Sequence, residues 1–175
     1  IAYSDVDLAI QDNVVTNQTN NNATNLTVTS ADSVTISGNT LSGEADGAAT
    51  GLNISVSAGS DVVSVSDNEI TGFDNEAGAG TGVWVDTADV SFSTNTFANN
   101  ARHFYDENGN YDEQTIRNDN TVSPVVLVLN EDGGNIQDNA IHGTVESGYE
   151  ASSSGDFVDV GAGTYEEDSI TLDDN

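Results

Sequence analysis

The sequence predicts an all-β chain wound into a solenoid of about five to six coils, and three observations lead to this. One phrase recurs along the chain: apolar residues alternating with small polar ones, then an Asn, then a second short apolar segment. A longer alternating segment lies between successive copies of that phrase. The order of the segments is the same in every unit, and units related by translation stack their equivalent strands in parallel.

The Asn phrase supplies the corner of each predicted coil. It reads SVTISGNTLSG at residues 33–43, VSVSDNEITG at residues 63–72 and VSFSTNTFAN at residues 90–99, with further copies at residues 8–17 and 135–143. A corner Asn tolerates left-handed backbone, and stacked amides can hydrogen-bond from coil to coil. We therefore predict an asparagine ladder through Asn13, Asn39, Asn68, Asn95 and Asn139.

The second segment supplies the remaining strand of each coil. Its copies are NLTVT at residues 25–29, GLNISVS at 51–57, TGVWVD at 81–86 and VVLVL at 125–129. Period-two alternation places Leu52 and Ile54 on one face and Asn53 on the other. By the same rule Trp84 faces away from its Val neighbours, and we expect it to pack in the core or at a junction, the alternative being an exposed platform for sugar. Since no segment has a sustained helical period, the chain is predicted to be all-β, against the alternative of a sandwich with unrelated Asn turns.

The phrases at residues 33–43 and 62–72 resemble the coils of right-handed parallel β-helix proteins, the pectin-lyase-like superfamily. The resemblance covers roughly residues 1–145 and implies a right-handed parallel β-helix. It leaves function open, because such coils serve lyases, hydrolases, adhesins, tailspikes and surface-layer-associated proteins.

Two segments depart from the repeat, so the chain divides into coils at 1–147 and a tail at 148–175. Residues 101–120 are predicted to form an irregular loop, with a candidate recognition patch at Arg102, Phe104, Tyr105 and Tyr111. Residues 116–122 look like another Asn phrase with one residue inserted, which would bulge one coil.

The tail resembles the opening coil of many β-helix proteins, although it stands at the end of the chain. It reads GDFVDVGAGTYEEDSITL at residues 155–172. Open solenoid ends need caps, and the sequence suggests no capping helix at either end. Three arrangements stay open: the tail forms the coil on which the next subunit stacks, the chain belongs to a longer solenoid, or the tail caps its own stack. The first predicts an interface of Ile1, Tyr3, Val6, Leu8, Ile10, Phe157, Val158, Val160, Tyr165, Ile170 and Leu172.

The acidic composition indicates in which environment the protein works and which partners it disfavours. Thirty acidic residues stand against two basic ones, a net charge of −28 with no Lys, and this bias resembles the surfaces of haloarchaeal proteins. Such charge disfavours nucleic acid as a partner and is tolerated when concentrated salt screens it. No apolar run is long enough for a membrane span. Since the chain begins at Ile1 rather than Met, we expect a processed or excised chain.

Candidate chemistry is sparse. The family resemblance allows polysaccharide lyases, which use a cationic residue, and only Arg102 and Arg117 could serve. Asp132 and Asp138 with His142 could act as a general acid and base, but chance proximity explains them better in so acidic a chain. We therefore expect no enzyme and no cofactor. A structural Ca²⁺ site is a candidate at Asp159, Glu166, Glu167 and Asp168, and glycosylation is a candidate at the sequons of Asn17, Asn22, Asn25 and Asn53.

These observations together predict an extracellular or cell-surface structural subunit that stacks head to tail with copies of itself into a filament in high salt. The alternative is a carbohydrate-binding or carbohydrate-active β-helix module, such as an adhesin, a tailspike-like protein or a polysaccharide lyase, with surface glycans as its partner.

Overall fold

A computed structural model describes residues 7–16, 23–29, 33–43, 49–56, 63–74, 80–130 and 136–165. In chain order its elements are β1 (Asp7–Gln11), β2 (Val14–Thr16), β3 (Thr24–Val28), β4 (Ser33–Ser37), β5 (Thr40–Ser42), β6 (Thr50–Ile54), β7 (Val63–Ser66), β8 (Glu69–Thr71), β9 (Thr81–Val85), β10 (Val90–Ser93), β11 (Thr96–Ala98), β12 (Arg102–Asp106), α1 (Glu113–Asp119), β13 (Thr121–Val122), β14 (Val126–Leu129), β15 (Ala140–His142), α2 (Val145–Ala151) and β16 (Phe157–Val160).

The strands form three sheets that run along a solenoid. Sheet A has the order β1-β4-β7-β10, sheet B has β2-β5-β8-β11-β13, and sheet C has β3-β6-β9-β12-β15-β14-β16. Successive coils pair in parallel and in register, so that Ile10 lies opposite Ile36 and Ile36 opposite Val65. This arrangement confirms the predicted β-solenoid. The expected five to six coils are wrong, because the chain makes about three turns, returning to sheet A at β4, β7 and β10 before it leaves the repeat.

The core consists of columns of side chains that occupy the same position in successive coils. The inward side chains of β4, β5, β6, β7, β8 and β9 are fully or almost fully buried, and alternation along each strand turns their neighbours outward. The columns are Leu8–Val34–Val63–Val90 and Ile10–Ile36–Val65–Phe92 in sheet A, Val15–Leu41–Ile70–Phe97–Val122 in sheet B, and Leu26–Leu52–Val83–Phe104 and Val28–Ile54–Val85–Asp106 in sheet C.

A ladder of Asn side chains lines the corner between sheets A and B. The backbone N–H and the side-chain Nδ2 of Asn39 both donate to Oδ1 of Asn68, each at 2.9 Å. The same pair of bonds joins Asn13 to Asn39, Asn68 to Asn95, and Asn95 to Asn120. The fifth member is therefore Asn120, whose Oδ1 accepts from Asn95, and the prediction of Asn139 is wrong because Asn139 lies in a cavity wall beside β15.

Left-handed backbone at this corner falls one residue before the ladder. Asp12, Gly38, Asp67 and Thr94 have φ angles of 54°, 67°, 56° and 57°, and each directly precedes a ladder Asn. The prediction that the Asn itself takes this conformation is wrong for these four corners. The left-handed residue turns the chain, which leaves the next residue free to point its amide along the solenoid axis.

The chain leaves the repeat after β12, and here the prediction of an irregular loop at 101–120 is wrong. Residues 102–106 form β12, a regular strand of sheet C, and residues 113–119 form α1. Asp112 caps α1 by accepting from the Gln114 N–H, and Ile116 is buried against β10. The expectation of no capping helix is therefore also wrong, since α1 covers the end of sheet A.

Sheet C continues past β12 by antiparallel pairing, which the repeat does not predict. Strand β15 pairs antiparallel with β12, β14 pairs antiparallel with β15, and β16 pairs antiparallel with β14. Helix α2 packs across β14, β15 and β16. Gly148 permits this contact, because a Cβ there would lie 2.6 Å from Cγ1 of Val126.

Candidate functional site

The N-terminal end of the solenoid is formed by three edge strands at one level. Strands β1, β2 and β3 are the outermost members of sheets A, B and C. Leu8, Ile10, Val15 and Leu26 point inward but are only half-buried, whereas their column neighbours one coil below are 0% exposed. The core is thus partly uncovered at this end within the described residues. Ile1, Tyr3 and Val6 of the predicted interface lie outside the described residues.

The ladder also ends at this level. Asn13 donates its backbone N–H and Nδ2 to Asn39, and Nδ2 also donates to the carbonyl of Gln11. Each of Asn39, Asn68, Asn95 and Asn120 accepts at Oδ1 from the Asn one coil above. Among the described residues, no donor occupies the same position for Asn13. The ladder therefore presents an acceptor at the N-terminal end.

The opposite end is stepped rather than level. Sheet A ends under α1, sheet B ends at the short strand β13, and sheet C extends to β16. Phe157 and Val160 on β16 are 56% and 45% exposed, whereas Val158 is half-buried. Strand β16 pairs with β14 of its own chain, and the Tyr165 hydroxyl donates to the carbonyls of Val125 and Gly161. Ile170 and Leu172 lie outside the described residues.

The predicted recognition residues divide between the two faces of β12. Phe104 points inward and is 3% exposed, so its placement on an exposed patch is wrong. It packs edge-on against Phe92 and Tyr111, with ring centroids 5.1 and 5.7 Å away. The Tyr111 hydroxyl donates to the Thr87 carbonyl and accepts from the Val90 N–H, which ties the segment after β12 to the turn before β10. Burial raises the pKa of Tyr111 to about 12, helped by the charges of Asp106 and Asp89.

Arg102 and Tyr105 join Trp84 on the outer face of sheet C. Trp84 and Tyr105 are register partners on β9 and β12, with rings 5.3 Å apart in an edge-to-face arrangement. The Arg102 guanidinium lies 4.8 Å from the centre of the Tyr105 ring, and burial lowers its pKa. Trp84 donates from Nε1 to Glu107. The expected core position of Trp84 is wrong, since Val83 and Val85 fill the core while Trp84 is half-buried outside.

On the inward side of β12 lies a cavity of about 200 Å³ between β12, α1 and β15. Its walls are Phe104, Asp106, Tyr111, Glu113, Ile136, Asn139, Ala140 and Ile141. Asp106 is 1% exposed and occupies the column position held by Val28, Ile54 and Val85 in the preceding coils. Its Oδ1 accepts from the Asn108 N–H at 3.2 Å and its Oδ2 from the Tyr111 N–H at 2.8 Å. Asp106 thus shapes the turn that follows β12.

A chain of hydrogen bonds joins Asp138, His142 and Ser147. Nε2 of His142 lies 2.6 Å from Oδ2 of Asp138, and its Nδ1 lies 2.7 Å from Oγ of Ser147. The acid, base and hydroxyl order matches that of a hydrolytic triad. However, His142 is 0% and Ser147 3% exposed, and Ser147 lies in the first turn of α2 against the sheet. A substrate cannot reach the hydroxyl in this arrangement, so these bonds hold α2 to β15.

His103 belongs to a second buried group beside the first. Its Nε2 donates to the Pro124 carbonyl at 2.8 Å, and its Nδ1 accepts from the Asn100 amide at 3.2 Å. Burial lowers the pKa of His103 to about 4, although the bond to Pro124 acts in the opposite direction. The ring is therefore neutral near pH 7, and its hydrogen bond to Pro124 holds β12 against the segment that precedes β14.

The structure describes three of the candidate modification and metal residues, namely Asn25, Asn53 and Asp159. Asn25 donates its amide to the carbonyls of Val15 and Ser42, so its nitrogen is already engaged. Asn53 is half-buried on the outer face of β6, in register with Trp84, and Asn17 and Asn22 lie outside the described residues. Asp159 is exposed, and its proposed partners Glu166, Glu167 and Asp168 lie outside the described residues. Within the described ranges, no three His, Cys, Asp or Glu side chains are placed to hold a metal ion.

The fold places the chain in the class of parallel β-solenoid proteins. Comparisons with models of known protein families, with curated proteins and with solved structures gave no match. Neither described helix has the length and apolarity needed to cross a bilayer.

Proposed function

We propose that the chain is a structural solenoid subunit that joins further copies of itself end to end. The observation that carries this proposal is the level N-terminal end, where three strand edges, four half-buried core side chains and the ladder acceptor lie together. Edge strands pair readily with another chain. In the other direction, β13 and β16 present the last edges of sheets B and C, and Phe157 and Val160 supply exposed apolar surface.

Both ends supply energy for a head-to-tail junction. Covering the four half-buried side chains at the N-terminal end contributes on the order of 3–6 kcal/mol before ordering costs are subtracted. Backbone pairing along the edges gives the junction its direction and register. Because the two ends differ, the contact is heterologous, and its repetition builds a filament when the rotation does not close.

The charge of the chain determines where this assembly is favourable. A net charge of −28 makes copies repel one another at low ionic strength. At about 1 M salt the Debye length falls to roughly 3 Å, and apolar and backbone contacts then dominate. We therefore place the subunit at the surface of a halophile of the haloarchaeal type. We also assign its coils to the right-handed, pectin-lyase-like kind on the strength of the repeat phrases, and we give it a non-catalytic role.

Mixing two end-blocked variants tests the proposal. Leu8→Asp places a charge at the N-terminal end and Phe157→Asp places one on β16, while Ser66→Asp adds the same charge to the outward face of β7, a central strand of sheet A. In concentrated KCl, sedimentation should show long assemblies for the wild type and Ser66→Asp. Each end-blocked variant alone should remain monomeric, and their mixture should form dimers, because each supplies the end that the other lacks.

The same experiment separates the proposal from its rivals. If Phe157→Asp alone forms dimers, two N-terminal ends meet and the head-to-tail junction is wrong. If Leu8→Asp assembles like the wild type, the N-terminal end has no part in association. Circular dichroism and a denaturation curve for each variant ensure that loss of assembly is not loss of folding.

A second candidate, carbohydrate binding, is favoured by the outer face of sheet C. Trp84, Tyr105 and Arg102 lie together there, and aromatic rings beside a hydrogen-bond donor suit sugar recognition. Titration with oligosaccharides should change the fluorescence of Trp84, the only Trp in the chain, and Tyr105→Ala should weaken the effect. An unchanged spectrum across neutral and acidic oligosaccharides would remove this candidate.

A further inference from the structure

We propose that Asn53 carries an N-linked saccharide whose first sugar ring packs on Trp84. Asn53 begins the sequon NIS at residues 53–55. Its side chain lies on the outer face of sheet C and is half-buried, because Leu52 and Ile54 on either side of it point into the core. Within the part of the chain that the structure describes, the Asn53 side chain forms no hydrogen bond. Its amide nitrogen is therefore unoccupied on an outward surface.

The chemistry of attachment decides which sequons the folded chain tolerates. Nδ2 of the Asn forms a bond to the anomeric carbon of a lipid-linked sugar phosphate, and the bond from that carbon to the phosphate oxygen breaks. The lipid phosphate leaves with the bonding electron pair, and a base of the transferase takes one proton from Nδ2. The modified amide keeps one N–H of the original two. A sequon is thus compatible with the fold only where the structure can spare one N–H of that amide.

Asn25, the other described sequon, does not meet this requirement. Its Nδ2 donates to the Val15 carbonyl at 3.2 Å and to the Ser42 carbonyl at 3.0 Å, so both hydrogens are in use. A sugar on this nitrogen would break one of the two bonds that tie β3 to β2 and β5. Modification of Asn53 breaks none, and the structure therefore distinguishes two sequons that look equivalent in the sequence.

The strand next to Asn53 offers a surface for the sugar. Asn53 and Trp84 are register partners on β6 and β9, and paired strands lie roughly 4.8 Å apart. Trp84 is half-buried outside the core, with its Nε1 held by Glu107 and the edge of the Tyr105 ring 5.3 Å away. An indole ring provides a flat apolar surface for the C–H groups of a sugar ring. This proposal does not rest on end-to-end assembly, and it assigns the outer face of sheet C to the chain's own saccharide.

Mass spectrometry of the full chain, secreted from a host that glycosylates Asn sequons, tests the attachment. A flexible carboxyl-terminal tag with one further sequon shows which molecules met the transferase, and only molecules with a modified tag are scored. The peptide with Asn53 should carry the added mass in the wild type and in Asn25→Gln. It should lose that mass in Asn53→Gln and in Ser55→Ala, which keeps the acceptor but lacks the hydroxyl of the sequon. An unmodified Asn53 in the wild type, or a saccharide on Asn25 as well, would overturn the proposal.

The fluorescence of Trp84, the only Trp in the chain, tests where the sugar lies. Acrylamide should quench the glycosylated wild type less than Asn53→Gln or Ser55→Ala, because the sugar shields the indole ring in the wild type alone. Equal quenching of the three proteins would show that the sugar does not pack on Trp84 and would overturn that contact. Thermal unfolding of each variant serves as the folding control. A glycosylated chain that stays monomeric in concentrated KCl would contradict the proposed function and leave this inference standing.

Discussion

Replacing Asn68 by Ala tests the ladder at its central member, which is buried. Asn68 is 2% exposed and lies between two further members on either side. Its side chain accepts from the N–H and Nδ2 of Asn39 and donates to Oδ1 of Asn95. It also donates to the carbonyls of Ile36 and Ser66. The substitution removes all of these bonds at once.

The cost can be worked out from the groups left without a partner. The Asn39 N–H loses Oδ1 of Asn68 as its acceptor, and an orphaned buried donor costs about 1–3 kcal/mol. The carbonyls and amides that keep another partner add less, so we expect a loss of about 2–4 kcal/mol in the free energy of unfolding. Asn13→Ala is the matched control, since Asn13 is exposed at the end of the same ladder and its loss should cost under about 1 kcal/mol.

Denaturant unfolding in a fixed high concentration of KCl measures both variants. Hydrogen exchange of the Asn39 amide adds a local readout, because the amide should lose protection in Asn68→Ala even where the rest of the solenoid stays folded. Equal losses of unfolding free energy in Asn13→Ala and Asn68→Ala would refute the reasoning. The larger loss expected for Asn68→Ala comes from the burial of the groups that it leaves without a partner.

Three further predictions concern single side chains. Because the pKa of His103 falls from 6.5 to about 4 on folding, its unfolded form takes up the proton first, so its contribution to stability is complete above about pH 6.5 and decreases as the pH falls towards 4. The loss by pH 4.5 is about 2–3 kcal/mol, and the difference in unfolding free energy between wild type and His103→Gln should shrink by that amount. Gly148→Ala should cost about 1–3 kcal/mol by denaturant unfolding, since its Cβ would meet Val126 at 2.6 Å, whereas the exposed Ala151→Gly should cost under about 1 kcal/mol. Thr94→Gly should raise the melting temperature slightly, because a β-branched residue at φ 57° is strained by about 1 kcal/mol, and a lower value would show that the bond from Thr94 to Asp67 outweighs the strain.

The regular part of the fold could be predicted because each coil repeats the same local rule. Alternation identified Leu52 and Ile54 as core and Asn53 as outward, and the structure places them so. The number of turns was overestimated because the phrases at residues 116–122 and 135–143 look like coils, whereas residues 113–119 form a helix and residues 140–142 form an antiparallel strand. A phrase predicts a coil only where both neighbouring segments also supply strands.

Helix α1 gave no periodic signal, because a helix of seven residues with one buried side chain, Ile116, has no period to detect. Its start was nonetheless visible: Asp112 is a favourable cap and Glu113 follows it in the first turn. Helix α2 also has seven residues and could not be predicted for the same reason. The bond between Ser147 and His142 could not be predicted either, because it forms only when the helix packs on the sheet.

The most informative signal that the sequence offered was a break in a column. Aligning RHFYD of β12 with TGVWV of β9 sets Asp106 against Val85, a carboxylate where the repeat requires an aliphatic side chain. An interior position of a solenoid can carry a charge only if the next coil does not cover it with apolar atoms. The substitution therefore predicts that the regular stack stops there. The structure agrees, because α1 and the antiparallel strand β15 stand where the next coil would place its strands of sheets A and C.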